Sequence, residues 1–177
     1  VPSRSDCLSC HSREANFALG LTNAQLNRDA TVDGRAQNQI AAFVGRGLVR
    51  GNPPAARAPR LADPTDRSAP LTERVRAYFA TNCAHCHIPN GGGNATMDLT
   101  PWVRPEKQHL LDAVPLHGDF GLRDARLIAP GNAGRSVLPL RVAVRGTGQM
   151  PPVGTMAGDP AGVQLLYQWI QSLTPPP

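Results

Sequence analysis

The chain has 177 residues and a formal net charge of +5, but its basic side chains are 17 Arg and one Lys scattered along the sequence. That scatter argues against the clustered basic footprint of a nucleic-acid binder, and no apolar run is long enough to span a bilayer. Aromatic residues, at 5%, are too few for a core of this size, while 18 Pro and 17 Gly predict long loops.

In chain order, Ser5 is placed to cap a turn carrying Cys7-Leu8-Ser9-Cys10-His11. Asn23 to Arg28 and Gln37 to Val44 read as short helices, the second closed by Gly45 and Gly47. Residues 1–52 thus form a short N-terminal segment, too small to enclose a large ligand alone. The Pro-rich stretch 53–70 reads as an extended connector, and 71–177 as the main domain. There, Thr72 can cap a helix with Glu73 in its first turn, and Val75, Tyr78 and Phe79 recur at helical spacing up to Cys83-Ala84-His85-Cys86-His87. Pro89 to Asn94 is a Gly-rich loop. Glu106 to Val114 is expected to be a short helix, as is Ser136 to Arg145, capped by Ser136 and stopped by Gly146. After Gln149-Met150-Pro151-Pro152, Asp159 is the N-cap and Pro160 the first residue of a final helix. Its apolar face is expected at Val163, Leu166, Tyr167 and Ile170.

The pattern C-x-x-C-H occurs twice and uses all four cysteines. Cysteines three apart lie about one helical turn from each other, so both can form thioethers to the vinyl groups of one porphyrin. The histidine that follows can take an axial position on its iron. Two C-x-x-C pairs can also hold zinc or act as redox thiols. Neither alternative explains a histidine directly after both pairs, and zinc-binding pairs usually lie closer together than positions 10 and 83. Two covalently attached haem c (heme c) groups are therefore expected, one on Cys7, Cys10 and His11, the other on Cys83, Cys86 and His87. Their flat apolar bodies would fill the interior that aromatic side chains do not, and some arginines are expected to pair with their propionates.

From residue 71 the order of helix, C-x-x-C-H, Gly-rich loop, helices, Met-Pro loop and C-terminal helix resembles class I cytochromes c. The resemblance implies an all-α fold of small helices and long loops wrapped around two haems. It implies that the first and last helices of the domain cross, with Tyr78 and Phe79 against Tyr167 or Trp169. It also implies a late-loop methionine as sixth iron ligand, which Met150 matches, with Met156 next in line; the plainer reading of Met150 is a gap-filling core residue. For the first haem, no methionine precedes Met97 and no histidine lies between His11 and His85, so the sixth ligand is not local. Met97 is the favoured candidate and His109 and His117 follow. An open or water-bound iron, an asparagine or a terminal amine also stay open, and His85 reads as a spacer within its motif.

Leu19 to Asp29, Asn38-Gln39-Ile40 and Asn82 to His87 are similar to the C-terminal part of a family of bacterial diheme c-type cytochromes. This implies haem number and an electron-transfer role rather than a substrate. The expectation is one diheme unit relaying electrons between a redox-protein donor and acceptor. The alternatives are a diheme peroxidase-like enzyme and the electron-transfer domain of a larger dehydrogenase. No nucleophile–base constellation stands out, and Gly91-Gly92-Gly93 lacks the lysine and the strand-to-helix setting of a phosphate loop. Because c-type haem attachment takes place outside the bacterial cytoplasm, a periplasmic location is expected, with a signal peptide or upstream domain ahead of Val1.

Overall fold

Ser3, rather than Ser5, caps the first helix, α1 (Arg4–Leu8), in a computed structural model that describes residues 2–50 and 59–175. The Ser3 hydroxyl accepts from the Asp6 amide while the Asp6 carboxylate takes the Ser3 N–H, a reciprocal capping box. Thr22 and Gln25 repeat the arrangement at α2 (Asn23–Leu26). The helix expected to reach Arg28 ends early because β1 (Asp29–Val32) and β2 (Arg35–Asn38) pair as an antiparallel hairpin. Asp29 stands opposite Asn38, and Val32 opposite Arg35. Asp33 and Gly34 turn the chain at positive φ, 52° and 74°, the two-residue loop that Asp-Gly favours. Asn38 then caps α3 (Gln39–Gly45), its Oδ1 accepting from the amides of Ile40 and Ala41.

The all-α expectation is corrected by this hairpin. Among the described residues, six α-helices and two short 3-10 helices share the chain with a two-stranded sheet, a small mixed fold. Residues 53–58 of the expected connector lie outside the described residues. Its remainder runs beside α2, where Leu61 N–H donates to Ala24 C=O (3.0 Å) and Asp63 pairs with Arg28 (3.7 Å).

In the main domain α4 (Leu71–Asn82) starts directly after Pro70, without the cap expected of Thr72. The helix expected over 106–114 is only a 3-10 turn, Pro105–Lys107. His109 and Asp112 have φ of 54° and 53°, which no right-handed helix accommodates. That stretch is held instead by Asp112 N–H to Ile128 C=O and Leu127 N–H to Ala113 C=O, both 2.7 Å. Ser136 precedes α5 (Val137–Ala143), but its hydroxyl bonds Ala129 N–H and Asn132 C=O rather than capping the helix. α6 (Pro160–Ser172) has the expected cap, Asp159 Oδ1 accepting from Gly162 N–H at 2.9 Å. Its buried face is Leu165, Leu166, Trp169 and Ile170, whereas Tyr167 is exposed and Val163 half-buried.

α4 and α6 pack on each other as expected, through Trp169 and not Tyr167. Phe79 and Trp169 meet edge to face with centroids 5.9 Å apart and planes at 81°. The Tyr78 hydroxyl donates to Asp159 Oδ2 at 2.9 Å. A Cβ at Gly162 would stand 2.3 Å from that hydroxyl, so only glycine allows the approach. Val75, Phe79, Leu110, Ile128, Leu166 and Trp169 form the centre of the core beneath the crossing. Among the described residues no helix is long and apolar enough to cross a membrane.

Candidate haem-binding site

The two C-x-x-C-H segments adopt the same turn. In the first, the amides of Cys10 and His11 both donate to Cys7 C=O, at 3.2 and 2.9 Å. In the second, the amides of Cys86 and His87 both donate to Cys83 C=O, at 3.1 and 3.0 Å. The first turn follows α1, and the second follows α4, whose last bonds run from the Cys83 and Ala84 amides to Phe79 C=O. Each helix end therefore presents two thiols and an imidazole from one wound turn.

His11 lies at the surface, and its Nδ1 is 2.7 Å from the backbone oxygen of Phe17. A carbonyl only accepts, so Nδ1 is the donor in this bond and Nε2 is the nitrogen left to ligate a metal, the orientation a metal-binding imidazole uses. The loop is wound to bring that oxygen round. Asn16 and Phe17 sit at φ of 55° and 57°, costly for residues with side chains. Phe17 N–H ties back to Ser12 C=O at 2.9 Å. The same segment exposes Leu8, Phe17 and Leu21.

His87 is set differently. Its Nδ1 is buried without a hydrogen-bond partner among the described residues, and the ring packs on Gly93, where a Cβ would stand 2.9 Å from Nδ1. Burial, and secondarily His85 nearby, lowers its pKa and keeps the imidazole neutral, as a ligand must be. Beside it opens an apolar cavity of about 120 Å³, lined by Cys83, Cys86, His87, Met97 and Met150 among others. That volume is below the roughly 300–1,000 Å³ of a usual cofactor pocket, so the fit to a haem rests on the donors in the wall and not on the size of the cavity.

Among the described residues Arg141 of α5 is the one Arg, Lys, Asp or Glu on the cavity wall, and it builds the Met150 loop. Its backbone oxygen accepts Met150 N–H at 2.8 Å. Its guanidinium donates to Gly148 C=O at 3.1 Å, to Gly118 C=O at 3.0 Å and to His117 C=O. It also lies over the Phe120 ring, 5.4 Å from the centroid. Burial pulls its pKa down, yet all these oxygen partners are neutral carbonyls.

The remaining candidates separate clearly. Met97 is buried in the core and, with His109 and His117, lines the cavity beside His87. All three side chains considered for the first iron are thus on the second motif's side. Met156 is 97% exposed and does not line the cavity. His85 is half-buried, its Nδ1 has no hydrogen-bond partner among the described residues, and burial, then His11, lowers its pKa. It groups with Cys10 and Cys86, the three donor atoms lying within 4.8 Å of one another. All four cysteines are free. Burial pushes the thiols of Cys83 and Cys86 up to about 12, contrary to the lowered values of reactive redox cysteines.

A scan against protein-family models and searches of curated proteins and solved structures found no match. The reading of this site stands on its own donor set. Sequence reasoning singled out the six motif residues and Met150 but missed two supports. The Phe17 carbonyl carries no side-chain signature. Arg141 had one, a lone charge inside the apolar run Val137 to Val144.

Proposed function

We propose that the chain carries two covalently attached haem c groups and relays electrons between a donor and an acceptor redox protein in the bacterial periplasm, as a member of the diheme c-type cytochromes. The observation that carries this reading is one apolar cavity whose walls hold the thiols of Cys83 and Cys86, the neutral imidazole of His87 and the thioether of Met150. Thioether attachment, an axial imidazole and an axial thioether are the donors a low-spin electron-transfer haem uses. The first motif adds the same wound turn and an imidazole whose free nitrogen is Nε2.

When bound, a haem supplies a one-electron iron couple. This chain's residues hold and tune it. Cys7 and Cys10, and Cys83 and Cys86, would anchor the groups; Phe17 C=O orients the His11 imidazole, and Gly93 seats the His87 ring. Arg141 secures the Met150 loop and places a positive charge on the wall. One electron is taken from the reduced donor and one is passed to the oxidised acceptor, with no covalent bond made or broken.

The test is a reductive titration of the mature protein, followed by mixing with hydrogen peroxide and, separately, with a small inorganic one-electron oxidant. Two electrons per chain, fast oxidation by the inorganic reagent and only slow peroxide turnover are expected. Rapid catalytic peroxide turnover would favour the peroxidase-like alternative and overturn the relay. A second reading rests on the grouping of Cys10, His85 and Cys86, three donors suited to zinc. Elemental analysis separates the two: iron near two equivalents supports the relay, and zinc near one with no iron replaces it.

A further inference from the structure

The two motifs, 76 residues apart in sequence, touch. Cys86 Sγ lies 2.8 Å from Cys10 Sγ and 3.2 Å from the backbone oxygen of Ser9. The backbone enforces the contact independently of the thiols. Gly92 packs directly on Ser9, and a Cβ there would stand 2.0 Å from Ser9 O and 2.7 Å from its carbonyl carbon. Real Cβ atoms do not approach that closely, and a backbone atom cannot swing aside as a side-chain tip can. Cys10 is buried at the junction although most of its own segment is exposed.

We infer that the two attachment motifs form a single paired site, so that the groups carried on Cys10 and Cys86 are direct neighbours and the haems act as one electronically coupled pair rather than two separate centres. The inference rests on the haem reading above. A thioether sulfur sits one carbon from the edge of its macrocycle. Two such sulfurs at or just beyond contact distance leave no room for protein between the two edges. Alkylating both sulfurs pushes them somewhat apart, but the Ser9–Gly92 contact does not involve them and holds the segments together.

Circular dichroism in the Soret region tests this directly, because two neighbouring haems give a bisignate exciton couplet and isolated ones a single-signed band. The mature protein is measured first, with its mass taken on the same sample. A couplet on a chain bearing two haems supports the pair. A single-signed band on a chain bearing two haems overturns the pair and leaves the relay intact. A chain bearing one haem or none overturns the haem reading, and the pair with it.

Gly92→Ala then probes the contact, against Gly20→Ala, where a Cβ meets nothing within 4 Å. G92A is expected to lose the couplet while keeping both haems by mass, and G20A to retain it. A couplet unchanged in a folded, fully loaded G92A protein would show that Ser9–Gly92 does not set the pairing. Should G92A fail to fold, the wild-type spectrum still decides.

Discussion

Met150 and Arg141 carry the sharpest predictions at the residue scale. Met150→Leu keeps volume and hydrophobicity, a swap that costs less than about 1.5 kcal/mol. It should leave the thermal midpoint within a few degrees while abolishing the near-infrared charge-transfer band of thioether-ligated ferric haem in magnetic circular dichroism. A band that survives M150L would assign the thioether elsewhere, with Met97 on the same wall the first to test. Arg141→Leu removes the donor to three carbonyls, at a cost of about 3 kcal/mol. Arg141→Lys keeps the charge but not the fork that reaches three oxygens. If Arg141 positions Met150, both variants should weaken the thioether band and lower the potential of that haem, Lys less than Leu. A purely structural role would lower stability and leave band and potential unchanged. At this scale the two cysteine motifs were legible because the pattern repeats and uses every cysteine. The Phe17 carbonyl was not, because a backbone acceptor is available at every residue and only the φ of 55° and 57° before it gives it direction.

At the scale of elements, α4 and α6 were readable from apolar periodicity and, for α6, an Asp-Pro start, whereas their packing on each other was expected from the resemblance alone. Phe79→Ala should cost roughly 3–5 kcal/mol, as large-to-small changes at well-packed aromatics do, read as a drop in the denaturant midpoint. Tyr78 offers a pH test of the same crossing. Burial first, then the bond to Asp159, raises its pKa above the unfolded value of about 10. The folded state therefore holds this proton more tightly than the unfolded one. Stability from this source is complete below about pH 10 and declines as the pH rises further. Tyr78→Phe should flatten part of the alkaline decline above about pH 10, and an identical decline in both proteins would contradict the assignment.

The hairpin of β1 and β2 escaped the sequence reading although Asp33-Gly34 announces it. Its four-residue strands are largely polar and alternate too briefly to separate from a helical pattern. The opposite error, a helix over 106–114, came from reading composition without caps. The positive φ of His109 and Asp112 breaks that segment.

For the molecule as a whole, the glycine run at 91–93 changes meaning between sequence and structure. In sequence it reads as a loose loop. In the fold Gly92 is where the N-terminal segment docks, and Gly93 is the seat of His87. Docking of two segments far apart in sequence leaves no local periodicity, so only the absence of side chains at the contact hinted at it. The low aromatic content fits the same picture. Among the described residues the packed core lies in the main domain around the α4–α6 contact, and on the proposed reading the haems would complete the face between the motifs. Metal-coupled domains gain folding free energy from their ligand, so a chain expressed without haem maturation should melt earlier and less cooperatively than the mature protein.

The most direct measurement is the intact mass of the chain matured in a host that attaches c-type haem, with Cys7, Cys10, Cys83 and Cys86 then located by peptide mapping. The account predicts the polypeptide mass plus two haems, each on one C-x-x-C pair. A mass equal to the bare polypeptide, or with a single haem added, would contradict it.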